Sequence, residues 1–180
     1  MPALRSDAAR SRARILDVAR THDVHNLRLN DVARDAGLGI GTVYRHFPNA
    51  QALIEALADS TVQQLLETSR RAAAESDPAA AFDDYIRAGL ELLLEFDGLQ
   101  SVLMAPHDET SETHQAKLEI FGTFDGVLER AKAAGVVRPE LTLDQITHLA
   151  CGIEYAVRLG ATADRSTFVD VLLAGLRPSA

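Results

Sequence analysis

The chain has 180 residues, 47% of them hydrophobic, and a formal net charge of −8. That length allows one or two units with real cores, and no apolar run approaches the roughly 20 residues that span a bilayer. The opening MPALRSDAARSRAR lacks the apolar stretch of a secretory signal, and a lone Cys151 excludes an intrachain disulfide. A cytoplasmic setting is the expectation.

The charge is unevenly placed. Residues 1–48 hold 8 Arg against 5 Asp, a balance of +3, whereas residues 49–180 hold 10 Lys or Arg against 21 acids, a balance of −11. A basic end on an acidic chain suits docking on a polyanion by that end alone. Arg5, Arg10, Arg12 and Arg14 lead the chain, either as a basic arm along a nucleic-acid backbone or minor groove, or as a solvated tail.

Two short helical patterns follow. Leu29, Val32, Ala33 and Ala36 fall at i, i+3, i+4 and i+7, and Ile40, Val43, Tyr44 and Phe47 repeat the set. Only Gly37-Leu38-Gly39 separates them, and Gly37 suits the left-handed backbone that ends a helix. This is the pattern of a helix-turn-helix, whose second helix enters the DNA major groove. Ile40, Val43 and Phe47 are expected to be buried. Gly41 lets the backbone come close, Thr42 can bond a phosphate or touch a thymine methyl, and Arg45 can fork onto guanine. Tyr44 and His46 suit phosphate. The expected DNA-contacting set is Arg28, Asn30, Ile40, Gly41, Thr42, Tyr44, Arg45, His46 and Gln51.

Every later segment reads as helix. Asn49 caps a helix carrying Leu53, Ile54 and Leu57 and continuing to about Ala74. Asp77-Pro78 starts the next, which Asp97-Gly98 ends, and a short apolar piece from Leu99 stops at Pro106. A helix from Ser111 to Ala134 is ended by Gly135. Thr142 and Gln145 have the spacing of a capping box, flanked by a staple of Leu141 and Ile146. The helix they open has two apolar faces, one with Ile146, Leu149, Ala150, Ile153 and Val157, the other with Cys151, Tyr155 and Leu159. The last helix, about Ser166 to Leu176, carries Phe168, Val169 and Leu172. Two such helices from each of two chains can close a four-helix bundle, so Ile146, Ile153, Val157, Phe168 and Leu172 are the expected homodimer contacts.

Tyr85, Phe96, Met104, Phe121, Phe124, His148 and Tyr155 interleave aromatic and polar groups in the central helices, as a small apolar or aromatic ligand requires. The acids and histidines of Pro106 to His114 match no strong metal spacing and read as a solvated loop before a helix N-terminus. No metal, cofactor or catalytic residue is expected, and Cys151 reads as a buried, inert thiol. The rival classes are a helical protein-interaction scaffold and an enzyme with a scattered site.

Ala33, Ala36-Gly37-Leu38 and above all GTVYRHFPNAQAL, Gly41 to Leu53, resemble the DNA-binding domain of the TetR family over roughly residues 10–57. The resemblance implies an all-α, dimeric transcription regulator, usually a repressor. A three-helix DNA-binding domain would occupy residues 1–48, and a helical ligand-binding and dimerisation domain residues 49–180. Its partners would be a near-palindromic duplex operator, a second copy and an effector. The chain departs from the family pattern in three places. Ala50 stands where most relatives have Lys or Arg facing phosphate. Arg28 stands near the usual Ser or Thr cap. The connection from Ala19 to Leu29 is about one turn short and lacks the usual Leu-Phe pair and Gly, for which a left-handed Asn26 is the expected substitute.

Overall fold

The computed structural model describes residues 2–160 and 164–178, and every regular element in them is helical. Helix α1 (Pro2–Ala19) is followed by a 3₁₀ turn (Val24–Asn26), then α2 (Leu29–Asp35) and α3 (Ile40–His46). The long α4 (Ala50–Ala74) leads into α5 (Pro78–Glu95), α6 (Leu99–Leu103), α7 (Ser111–Ala133), α8 (Leu143–Leu159) and α9 (Arg165–Leu176).

The first four helices close a head around Ile15, Leu29, Val32, Val43, Phe47, Leu53 and Leu57. Each such side chain contributes about 1.5–3 kcal/mol by leaving water, and seven converging ones hold two helices that would be too short to persist alone. The angle between α2 and α3 is set by a left-handed Gly37 at φ 62°. Its N–H donates to Arg34 O, and the Leu38 N–H reaches back to Ala33 O, both at 3.0 Å. This is the paired bonding that stops a helix in one turn. Gly135, φ 70°, ends α7 in the same way.

The short connection after α1 is solved without Asn26 in the left-handed region, because among the described residues only these two glycines have positive φ. Asp23 does the work instead: its carboxylate accepts from the His25 N–H at 2.9 Å and from Asn26 Nδ2 at 2.7 Å, folding the 3₁₀ turn. The basic leader is likewise corrected. It is part of α1 rather than a separate arm or tail. Arg12 lies over the Phe47 ring at 5.3 Å, and Arg14 lies beside Gly37. The side chain of Arg5 lies outside the described residues.

Helix α4 serves two cores. Leu53 and Leu57 belong to the head, whereas Ile54, Ala58, Val62, Leu65 and Leu66 join α5 to α9 in a larger body core. The head core therefore extends past residue 48. Two residues stitch the cores together: Val24 of the 3₁₀ turn is buried in the body core, and Phe96 packs against both. At its far end α4 is held by Arg130 of α7, which donates to the carbonyls of Ala72 and Glu75. The Thr142–Gln145 capping box forms at the start of α8. Leu141 and Ile146 flank it in the same core. Among the described residues no helix is long and apolar enough to cross a membrane.

Candidate nucleic-acid interface and ligand cavity

The second helix of the helix-turn-helix fixes its inner face with Val43 and Phe47, which are buried. Ile40 corrects the expected burial. It is 40% exposed and stands with Tyr44 on the outer side. Arg28, Asn30, Gly41 and Arg45 are also exposed, and Thr42 is half-buried. Arg45 is laid along its helix, with Nε donating to Gly41 O at 3.1 Å and Nη2 to Thr42 Oγ1 at 3.0 Å. These bonds restrict the side chain to the surface of its own helix.

Ion pairing separates the head's arginines into two sets. Arg10, Arg20 and Arg34 are paired with Asp7, Asp17, and Asp31 plus Asp35. Among the described residues Arg12, Arg14, Arg28 and Arg45 have no carboxylate partner within 4 Å. The sequence shows the arginines but not which of them are neutralised. The net positive potential therefore comes largely from Arg28 and Arg45 at the two short helices and from α1.

Two expected contacts are turned inward. His46 Nε2 is bonded to Ser11 Oγ at 2.8 Å, so His46 pins α3 to α1. Gln51 buries its amide nitrogen, which has no partner among the described residues. Asn49 is also occupied: Oδ1 caps α4 by accepting from the Ala52 N–H, and Nδ2 donates to Glu109 Oε1, both at 2.8 Å. The side-chain N–H donors of Asn49 and Gln51 at the start of α4 are thus bonded or buried.

The body holds a partly open apolar cavity of about 60 Å³ between α4, α5, α6, α7 and α8. Its walls include Leu65, Tyr85, Leu90, Leu103, Phe121, Phe124, Ile146 and Ala150. Three of the expected ligand residues, Tyr85, Phe121 and Phe124, are there. The Tyr85 and Phe124 rings stack at 4.1 Å, and burial pushes the Tyr85 phenol well above its ordinary pKa, which keeps it a neutral donor. The other four are corrected. Phe96 sits at the joint between the cores, and Met104, His148 and Tyr155 are exposed on the surface.

The loop Pro106 to His114 is not simply solvated. The Asp108 side chain is only 7% exposed, and its carboxylate accepts from Lys117 Nζ at 2.6 Å and His114 Nδ1 at 3.0 Å, while Lys117 also donates to Ala105 O. Burial alone would raise the Asp108 pKa, but the hydrogen bonds from Lys117 and His114 outweigh it and hold the carboxyl below its ordinary value. Among the described residues no grouping of three His, Cys, Asp or Glu fits a metal ion.

Helix α8 resolves its two apolar faces. Ile146 and Val157, with Leu172 of α9, are buried within the protomer, so they are unavailable to a second copy. Ile153 and Phe168 are half-exposed. The apolar residues left outside are Leu149, Tyr155 and Leu159 of α8 and Val171 of α9, between 46% and 73% exposed. Cys151 is half-buried rather than buried, and desolvation raises its thiol pKa, which keeps it protonated and unreactive. Deeper on the same helix, Glu154 is buried and paired with Arg158. Arg158 also reaches Asp97 at 3.1 Å and Leu93 O at 2.8 Å, and Asp97 in turn meets His25 of the head at 3.2 Å.

Comparison with known proteins gives two matches along the chain. The profile described as bacterial regulatory proteins, tetR family, matches residues 14–57, and that of the SbtR-like transcriptional regulator C-terminal domain matches residues 77–178. The HTH-type transcriptional regulator SAR0097 of Staphylococcus aureus is 37% identical over 43 residues, which is 24% of this chain and 22% of that protein. The TetR transcriptional regulator SCO0520 of Streptomyces coelicolor is similar in structure, with a TM-score of 0.54 and 28% identity, covering 94% of this chain and 99% of that one. The ketosteroid regulator KstR2 of Mycobacterium tuberculosis shares the fold at a TM-score of 0.63 and 17% identity, covering 93% and 95%.

Proposed function

The chain belongs to the TetR family of transcriptional regulators, and from that premise we propose that it is a homodimeric repressor released from its operator by a small apolar or aromatic molecule. DNA binding through the helix-turn-helix is the family's activity. The observation that carries the operator reading is the outer face of α3, where Arg45 is held against Gly41 and Thr42 beside exposed Tyr44. Arg45 reads a base edge, and Arg28, Asn30 and Tyr44 position the head on phosphate. Two heads on successive major-groove faces require half-sites about 34 Å apart, or a multiple, and hence a near-palindrome.

The second copy covers the outer faces of α8 and α9, at Leu149, Tyr155, Leu159 and Val171. The effector enters the cavity lined by Tyr85, Phe121 and Phe124. At about 60 Å³ this cavity is well below the roughly 300 Å³ of an ordinary ligand site, so the effector must select a more open arrangement of α4 to α8. An effector that favours such an arrangement shifts the heads only if the open form binds DNA less well. Selection of bound sites from a random DNA pool tests the reading. A near-palindromic consensus is expected, and the absence of any sequence preference would overturn it.

A further inference from the structure

A second, chemically different groove lies outside the apolar cavity, at the joint between head and body. It has a volume of about 350 Å³ and runs between the start of α4, helix α1 and the start of α7. Four carboxylates line it: Glu55 and Asp59 from α4, Glu109 and Glu112 from the α7 end. Against these four acids stands one permanent cation, Arg12, so the lining remains net negative. Arg12 lies over the Phe47 ring, and His46 is bonded to Ser11.

Glu55 is the unusual member. It is only 3% exposed. Its Oε1 accepts from the Glu109 N–H at 2.9 Å, whereas Oε2 is buried with no hydrogen-bond partner among the described residues. A buried carboxylate oxygen without a donor is unfavourable, and any cation that reaches it relieves that cost. A compact metal ion does not suit the site, since among the described residues no three ligating groups converge. Phe47, Pro48 and Ala56 supply apolar wall between the acids, which is the complement of methylenes joining separated positive nitrogens.

We propose that this groove binds an aliphatic polyamine, one ammonium reaching the Glu55 carboxylate and a second held by Asp59 or Glu112. The ligand bridges α4, which carries the head, to α7 of the body. It is distinct from the apolar effector, and it does not depend on the repressor assignment.

Isothermal titration of the DNA-free protein with spermidine at low ionic strength tests this, with 1,8-octanediol as a neutral chain of similar length. One saturable site per chain is expected for spermidine and none for the diol. Glu55→Gln keeps the Oε1 acceptor and the shape but removes the charge, and should weaken binding by at least about tenfold. Glu112→Gln and Asp59→Asn, at exposed positions, should each weaken it severalfold and stand in for Glu55→Gln if that variant melts early. No saturable binding, equal binding of the diol, or affinity unchanged in Glu112→Gln and Asp59→Asn together would overturn the proposal.

Discussion

Ala50→Lys isolates the role of the first turn of α4. Residue 50 opens that helix, and neither neighbour supplies a donor to phosphate, because Asn49 is used in capping and in the bond to Glu109 while the Gln51 amide nitrogen is buried. Ala50 is half-buried against the head core, so a lysine there can lay its stem along the protein and extend its ammonium outward. One added phosphate contact steepens the dependence of log affinity on log salt by about 0.9, or about 1.8 for the two heads of a dimer. Between about 50 and 200 mM salt, that amounts to about twelvefold more weakening than in the wild type. A cation at a helix N-terminus costs about 0.3–1 kcal/mol in folding, which leaves the head folded. Fluorescence anisotropy titrations on the selected operator and on a random duplex read the slope directly. Both duplexes should show the same steepening, with the preference between them unchanged. An unchanged slope would mean that the start of α4 does not lie on the backbone, and the docking of the head would have to be redrawn.

Four further outcomes follow from the geometry. Val171→Glu or Leu159→Glu places a charge in the proposed contact and should give a folded monomer by sedimentation, whereas Leu172→Glu buries a charge inside the protomer and should unfold it; a dimer surviving both surface changes would refute the assigned face. Ala150→Leu fills the apolar cavity and should raise the melting temperature by about 2–4 °C for each kcal/mol gained; a clear fall would show that the space is already needed by its walls. Lys117→Met leaves the Asp108 carboxylate with His114 as its remaining partner, and should cost about 1–3 kcal/mol in urea unfolding, a value near zero being the refuting result. Since the folded Asp108 carboxyl is held below its ordinary pKa, its stabilisation is present above about pH 4 and is lost as pH falls through the folded value; Asp108→Asn should therefore flatten the acid limb of the stability curve, and an unaltered limb would count against the pair.

The parts legible in the sequence are those governed by short-range rules. Gly37, Gly135 and the Thr142–Gln145 box act within a few residues, and their geometry follows from residue type at fixed spacing. The inner face of α3 follows for the same reason. Periodicity fails at Ile40, because the first residue of a helix projects beyond the core its stripe implies. It fails again on α8, where two apolar stripes exist and only the position of α5 and α9 decides that Ile146 goes inside and Leu149 outside. The pairings of Glu55 with Glu109 and His46 with Ser11 join residues 54 and 35 positions apart. Nothing local in the chain announces them, and the second turned an expected DNA contact, His46, into a structural tie.

The shared packing of Val24 and Phe96 bears on how this regulator can be re-engineered. Exchanging DNA-reading ends between relatives is attractive only where the cut crosses a surface that each piece can present to water. Here a cut at residue 48 would strip Leu53 and Leu57 from the transplanted piece, leave Val24 without its pocket and orphan Phe96 in the recipient, whereas a cut beyond Leu57 would part Glu55 from Glu109. A working chimera must move these residues as a set, with the graft running through Leu57 and the recipient matched at positions 96 and 109. Specificity in this protein is therefore more readily redirected by changing the outward residues of α3 than by exchanging the end that carries them.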